Sequence, residues 1–489
     1  MTAMFERHGS MALLTDLYQL TMANAYWKSG TTDKHAVFHL FFRNNPFAGG
    51  FAVGCGLSDM IAALDCFHFD ETDISYLSGL QGNDGRPLFD PAFLEHLSHM
   101  RLVCDVDAVR EGTVVFPHEP LVRVRGPILQ CQLLETILLN IVNFQTLIAT
   151  KSARICHAAK GDPVLEFGLR RAQGVDGALA ASRAAYVGGC AATSNVLAGK
   201  LFDIPVKGTH AHSWVMSFDS EPDAFRAYAE AMPNNCVFLV DTYDTLQGVR
   251  HAVKLGSWLR ERGHELVGIR LDSGDLAQLS IDARRILDEA GFQKAVIVAS
   301  NDLDEHLIAG LKQQGATVGV WGVGTKLATA YDQPALGGVY KLSCIREPGG
   351  QWLPKVKLSE QAVKVSNPGT LQVRRFHDET GFMADVIFDE QIGIEQGCTM
   401  IDPMDPTRRL HISPEAVGSD LLVAVFRNGE RCSETPSVHD ARRLAQQQLD
   451  NFYDGIKRRK NPHQYPVGLE PRLHELKTRL ITEARRAVP

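Results

Sequence analysis

None of the ten cysteines stands three positions from another, so no C-x-x-C spacing of the zinc-ribbon kind can be read. Scattered from Cys55 to Cys432, they read as reduced thiols packed as small apolar groups. No apolar run is long enough to cross a bilayer. The most apolar stretch, Leu133 to Ile148, is broken by Glu135, Asn140, Asn143 and Gln145. The opening MTAMFERHGSMALLTDLYQL lacks the uninterrupted apolar run and small-residue cleavage site of a signal peptide. Positive charge is not in excess either: 50 Lys and Arg face 57 Asp and Glu, a net charge of −7. A diffuse binder of nucleic acid or anionic membrane is normally basic, so any polyanionic ligand needs a local cluster of Arg and Lys. Repeats and low-complexity tracts are missing as well. These absences describe a cytoplasmic chain with neither a nucleic-acid nor a membrane partner.

What is present is ample core material: 45% of 489 residues are hydrophobic, enough for two or three domains. An opening helix follows Thr15 as N-cap and stops at Gly30. Strand-like Ala36 to Phe42 and an alternating unit from Gly112 to Val124 come next, and Pro127 suits the first turn of a helix reaching about Arg154. The rhythm then changes. Short apolar runs recur at Val164–Gly168, Ile204–Lys207, Val237–Asp241, Leu266–Asp272, Val296–Ser300 and Val318–Gly324. Amphipathic patterns such as Leu246–Arg262, Leu276–Ala290 and Leu303–Gln314 fall between them. Continuous apolar strands alternating with helices predict an α/β fold with a parallel sheet covered on both faces. Barrel and open doubly wound sheet fit the pattern equally. Beyond Gly338 a hairpin turns at EPGG, and helices near Ala441–Lys457 and Arg472–Arg486 flank a basic KRRKNP that reads as a solvated helix end.

In parallel α/β sheets ligands gather at the carboxyl ends of strands. The residues following each run are EFGLRRAQG, KGTHAHSW, DTYDT, RLDSGD, SNDLDE and WGVGTKL. Small-residue turns make anion nests, and Arg170, Arg171, Arg270 and Lys326 add cationic charge. The carboxylates of RLDSGD suit Mg²⁺ or ribose hydroxyls, so a phosphorylated sugar with a metal uses the whole set. GVGT is not a Walker loop, and DSGD also reads as an ordinary capping turn. His210 and His212 form an H-x-H with three readings: ligands of a metal-dependent barrel hydrolase, packed side chains, or a neutral imidazole that attacks ATP and becomes phosphohistidine. A catalytically silent nucleotide-sensing or scaffold protein would leave these charges without a use.

In sequence order, LLTDLYQLTMANAYW, FFRNNPF, EGTVVFPHEPLVRVRGP, FGLRRAQGVDGALAASRAAYVGG, ATSNVLAGKLFDIPVKGTHAHSWV, FLVDTYDTLQGV, IRLDSGDLAQLS, SNDLDE and GVGTKLATAYDQPALGGVYKL run over most of residues 13 to 345. This series resembles the nicotinate phosphoribosyltransferases, the type II phosphoribosyltransferases of NAD salvage. The resemblance implies an irregular TIM-like α/β barrel over residues 127–340. An N-terminal α+β segment, 1–126, and a C-terminal segment, 341–489, together make the second domain. It implies a ligase-type enzyme that condenses nicotinate with 5-phosphoribosyl 1-pyrophosphate, giving nicotinate mononucleotide and pyrophosphate. ATP hydrolysis is coupled through phosphohistidine, with Mg²⁺ present and active sites shared in a homodimer.

Residue by residue, the G-T-x-A-H-S motif (Gly208 to Ser213) makes His212 the phosphorylated histidine and leaves His210 variable. The resemblance sets Phe167 against the pyridine ring and Arg170 on the nicotinate carboxylate. Tyr18 closes the ring's other face from the partner subunit, and Ser194 replaces an acid of nicotinamide-using relatives. Gly208, Thr209, Arg270, Asp272, Ser273, Gly274 and Asp275 are implied to contact phosphoribosyl pyrophosphate, with Arg270 and Asp272 also catalytic. Gly322, Gly324, Thr325 and Lys326 are implied to form the 5′-phosphate nest. Lys151 and Arg154 stay open between pyrophosphate contact and helix-end solvation. Nicotinamide phosphoribosyltransferase is the nearest alternative, told apart by comparing turnover of acid and amide.

Overall fold

The structure is a computed structural model that describes residues 10–486. The first nine residues, which carry part of the missing-leader reading, lie outside that range. Two compact units divide the chain: one comprises residues up to Leu147 and from Ala335 onward, the other Ile148–Pro334. The changeovers fall inside the long helix Glu135–Ala159 and just before strand Val339–Arg346, where the sequence reading places boundaries at 126 and 340.

The unit Ile148–Pro334 is built on six strands: Val164–Glu166, Ala192–Thr193, Val237–Leu239, Gly268–Leu271, Val296–Ala299 and Val320–Val323. Numbered first to sixth in chain order, they lie second, first, sixth, fifth, fourth, third across the sheet, and every pairing is parallel. Parallel neighbours need a crossover between them, and helices such as Val175–Val187, Thr245–Arg260, Leu276–Glu289 and Glu305–Gln313 supply it. Burial on both faces explains the continuous apolar runs: Val237, Phe238, Leu239, Ile269, Leu271, Ile297 and Trp321 are all buried. The pairings of the described residues form a row with two ends.

One strand expectation changes. Ile204–Lys207 is not a paired strand; only Val206 bridges to Thr193, with Thr193 N donating to Pro205 O and Lys207 N to Thr193 O. Pro205 has no N–H for a ladder, and the place in the row belongs to Ala192–Thr193, too short to show as an apolar run.

The other unit is formed from both chain ends. One antiparallel sheet of seven strands runs Leu353–Pro354, Val339–Arg346, His35–Phe41, Val122–Pro127, Asp105–Val109, Leu422–Arg427, Glu430–Arg431. The EPGG hairpin is there, with Gly350 N donating to Glu347 O at 2.9 Å and Gly349 at φ 72°, a left-handed position that favours glycine. Pro127 ends a strand rather than opening the long helix: a short helix, Ile128–Leu133, precedes Glu135–Ala159. Asp16, not Thr15, is the N-cap of the opening helix Leu17–Lys28. The basic 457–462 segment lies in the loop between helices Val438–Asn451 and Pro471–Arg486.

A second sheet of six strands centres on the pair Leu371–Asp378 and Gly381–Asp389. Here Arg375 and Asp385 are both fully buried. Arg375 Nε lies 2.9 Å from Asp385 Oδ1, while Nη2 donates to Val114 O at 2.8 Å and Nη1 to Gln448 Oε1 at 2.9 Å. The rings of Phe116, Phe382, Phe452 and Tyr465 surround the guanidinium within 6.0 Å. Removing one partner leaves a buried charge unmatched, so Arg375→Ala is expected to lower unfolding free energy by about 3–5 kcal/mol. Denaturant unfolding of the variant checks this; a loss under about 1 kcal/mol contradicts it.

Candidate active site

The first strand ends on Glu166, a buried carboxylate that organises the turn after it. Its Oε1 accepts from Gly168 N; its Oε2 accepts from Ser182 Oγ at 2.9 Å and Thr193 Oγ1 at 2.6 Å. One carboxylate thus ties the FGLR turn to helix Val175–Val187 and to the second strand. Ser194 follows that strand, half-buried, with its N–H donating to Glu166 O at 2.9 Å. Phe167 lies against Gly322 of the sixth strand: a Cβ there would come within 2.8 Å of the Phe167 ring. A Cβ on Gly324 would stand 3.0 Å from Phe167 O. The glycines of GVGT therefore have a packing reason, which is to admit Phe167. Leu169–Arg171 then makes one 3₁₀ turn that leaves Arg170 exposed.

The two histidines part company. His210 is buried; its Nε2 accepts the Leu239 N–H at 3.2 Å, and its Nδ1 faces Ala211 O at 3.4 Å. Its ring packs edge-on to Tyr228 at 5.0 Å. Burial pushes its pKa down to about 4. With both nitrogens engaged, His210 is a core residue, and the H-x-H metal pair has lost one ligand. His212 opens the short helix His212–Met216 with its side chain 39% exposed. Its Nδ1 is 3.1 Å from Thr242 Oγ1, and its Nε2 is 3.9 Å from Asp272 Oδ2. When Nδ1 carries the proton and donates to Thr242, Nε2 holds the lone pair, on the side of Asp272.

The ends of the third and fourth strands supply the rest. Asp241 Oδ2 accepts from Asp272 N at 2.8 Å and from Ser273 Oγ at 2.7 Å, which fixes the RLDSGD loop. Asp272 Oδ1 accepts from Ser300 Oγ, at the end of the fifth strand. Arg270 Nη1 donates to Thr209 Oγ1, while its buried Nε has no partner among the described residues; neither has Asp241 Oδ1. Burial first, and Arg170 as a like charge, push the Arg270 guanidinium below its usual range, against the pull of Asp272 and Asp241. Neither Arg170 nor Arg270 has a carboxylate within ion-pair distance among the described residues. Two guanidiniums close enough to repel each other, neither in an ion pair, add positive charge that favours an anion at these strand ends.

Other expected contacts are taken up within the protein. Asp275 caps helix Leu276–Glu289, accepting from Ala277 N at 3.1 Å and Gln278 N at 3.2 Å. Gly274 before it takes φ 78°. Lys326 donates to Asp304 Oδ2 at 2.7 Å, and Asp304 caps the next helix through Oδ1. Gly208 is exposed, with open space where a Cβ would stand, and Thr325 is half-buried. Lys151 and Arg154 turn inward: Lys151 Nζ lies 2.7 Å from Glu305 Oε2 and Arg154 Nε 2.9 Å from Glu305 Oε1.

The unit of the two chain ends carries Tyr18, 49% exposed on helix Leu17–Lys28. It also holds a cationic spot that reading strand ends alone missed. Arg43 Nε is buried without a hydrogen-bond partner among the described residues, and Lys477, which burial pushes down to about 8, donates to Asn367 Oδ1 at 2.8 Å. His118 is driven to about 4 by burial, helped by Lys477 and Arg43. The one signal in the sequence was FFRNNPF, an arginine among asparagines after an apolar strand.

Known proteins match along the whole chain. Three family models match in succession: the nicotinate phosphoribosyltransferase N-terminal domain over residues 13–143, the nicotinate phosphoribosyltransferase family over 163–348, and the nicotinate phosphoribosyltransferase C-terminal domain over 371–477. A nicotinate phosphoribosyltransferase of Bacillus subtilis is 44% identical, covering 97% of each chain. One of Dictyostelium discoideum is 38% identical, covering 95% of this chain and 87% of its own. The crystal structure of human nicotinic acid phosphoribosyltransferase superposes with a TM-score of 0.83 at 33% identity, covering 95% of this chain and 99% of that one.

His210 yields a pH prediction. Unfolded, it binds a proton near pH 6.5; folded, only near pH 4. The unfolded state therefore holds more protons between these values, and stability is lost as pH falls through the window, by up to about 3 kcal/mol. His210→Gln keeps an acceptor for Leu239 N–H and removes the titration. Its unfolding midpoint is expected to fall less than wild type between pH 6.5 and 4; parallel losses would contradict the assignment.

Proposed function

Because the chain belongs to the nicotinate phosphoribosyltransferase family, we propose that it condenses nicotinate with 5-phosphoribosyl 1-pyrophosphate in NAD biosynthesis. The observation that carries this reading is Arg270, partly buried with no carboxylate at ion-pair distance among the described residues, with Arg170 near enough to repel it and Asp272 and His212 alongside. Phe167 offers a face to the flat pyridine ring, and Arg170 a fork for its carboxylate. Phosphoribosyl pyrophosphate then lies along Gly208, Thr209, Arg270, Asp272, Ser273 and Gly274, with its 5′-phosphate toward Gly322, Gly324 and Thr325. Asp275 and Lys326 act from behind, as cap and as partner of Asp304.

The pyridine nitrogen attacks the anomeric carbon as the bond to pyrophosphate breaks. Arg270, partly desolvated and with Nε free, suits the negative charge that develops on the leaving group. Holding both substrates in line contributes on the order of 7–11 kcal/mol of the acceleration. Among the described residues no three His, Cys, Asp or Glu side chains form a metal cage. Mg²⁺ does not need one, since it is usually held by substrate phosphates and one or two carboxylates. Asp272 is the carboxylate that would hold the ion, which would offset diphosphate charge.

We assign ATP coupling to His212. Its Nε2 attacks the γ-phosphorus, the bond to ADP breaks, and water later releases phosphate. The Thr242 contact supports this reading by favouring the Nε2 lone pair. We further propose a homodimer in which Tyr18 of one subunit closes the nicotinate slot of the other, and that the parallel row belongs to an irregular TIM-like barrel. Ser194, in place of an acid, favours nicotinate over nicotinamide. No helix among the described residues is long and apolar enough to cross a membrane, in keeping with a cytoplasmic enzyme.

Arg170→Ala is expected to raise the KM for nicotinate by about 10- to 100-fold, the loss of one charged hydrogen-bonding partner, and to leave that for phosphoribosyl pyrophosphate nearly unchanged. Equal losses in steady-state kinetics would refute the carboxylate role. His212→Ala is expected to abolish ATP hydrolysis and transfer of γ-phosphate label to the protein while slower, ATP-independent synthesis persists. Normal coupling in the variant would overturn the assignment.

A further inference from the structure

The unit of the two chain ends contains a cleft of about 370 Å³ that none of the chemistry above uses. It lies where His35–Phe41 and Asp105–Val109 begin and Val122–Pro127 and Val339–Arg346 end. Its lining includes His35, Asp105, Arg125, Arg346, Trp352 and Asn428. The volume falls within the range of small-molecule pockets.

The charges of this lining do not cancel. Asp105 is fully committed: Oδ2 accepts from Arg125 Nε at 3.1 Å and Nη2 at 2.6 Å, and Oδ1 accepts from Asn428 N at 2.9 Å. Its negative charge answers Arg125 and leaves Arg346 over. Arg346 has no carboxylate within ion-pair distance among the described residues. Its guanidinium lies over the Trp352 ring at 4.6 Å from the centroid, and Nη2 is 3.5 Å from His35 Nδ1. His35 cannot serve as counter-ion, because it is neutral or cationic. Burial, then Arg346 and Arg125, lower its pKa. A guanidinium supported over an indole and without an ion pair keeps N–H donors for a carboxylate or phosphate.

We propose that this cleft binds a small organic anion, a carboxylate or phosphate no larger than a mononucleotide, with Arg346 as the charged anchor and Trp352 as its support. The ligand bridges the His35–Arg346 and Asp105–Arg125 pairs, joining four strand ends of one sheet. The site is separate from the strand-end chemistry of residues 164–326 and stands whether or not that reading holds.

Trp352 reports on the site directly. The emission of the full-length protein minus that of Trp352→Phe isolates this indole from the other four tryptophans. Titration with inorganic phosphate, and separately with benzoate, against chloride at equal ionic strength, is expected to give a saturating change with at least one of them. Saturation by phosphate alone identifies a phosphate ligand, by benzoate alone a carboxylate, and by both a general anion site. Arg346→Ala is expected to weaken the apparent affinity at least about tenfold. Arg346→Lys, which keeps the charge but not the fork, is expected to fall between. No change with either anion up to roughly 50 mM, or an Arg346→Ala titration matching wild type, would overturn the proposal.

Discussion

An arginine withdrawn from water without an ion pair is the constraint around which the strand-end site is arranged. At the carboxyl ends of the parallel strands, Arg270 is largely withdrawn from water, bonded through one nitrogen to Thr209 and, among the described residues, unsatisfied at Nε. The nearby acids attract it from beyond ion-pair distance: Asp241 Oδ2 holds the backbone and hydroxyl of the next loop, and Asp272 Oδ1 accepts from Ser300. A fold that desolvates a cation without closing an ion pair on it leaves its N–H edge open to something that arrives from outside. Arg170 adds to the same surplus.

Rigid supports make this possible. Glu166 collects three donors from three segments, so the Phe167–Arg170 turn and the Ser194 turn move as one piece. His210 does similar work on the next strand, receiving Leu239 N–H and lining up the backbone that presents His212. Neighbouring residues in one tripeptide thus serve opposite ends: one imidazole stays neutral in the core, the other remains open between Thr242 and Asp272.

Much of this was legible in the sequence. Parallel strands buried on both faces announce themselves as apolar runs, and all five of the longer ones lie within a residue or two of the expected bounds at each end. The strand Ala192–Thr193 escaped because two residues carry no periodicity, and Pro205 gave its neighbourhood the look of a strand without the donors. The site's residue types were readable from strand-end position, but their employment was not. That Asp275 caps a helix, Lys326 answers Asp304, and Gly322 makes room for Phe167 depends on neighbours far along the chain. The cationic spot around Arg43 and Lys477 was hidden for the same reason, since 434 residues separate its parts in sequence.

The central claim is that the strand-end cations serve a sugar diphosphate next to a flat aromatic acid. Purified protein given nicotinate, phosphoribosyl pyrophosphate and Mg²⁺, with and without ATP, tests it most directly. The account predicts nicotinate mononucleotide and pyrophosphate in equal amounts, formed faster when ATP is present. If both substrates are recovered unchanged under either condition, the claim is contradicted.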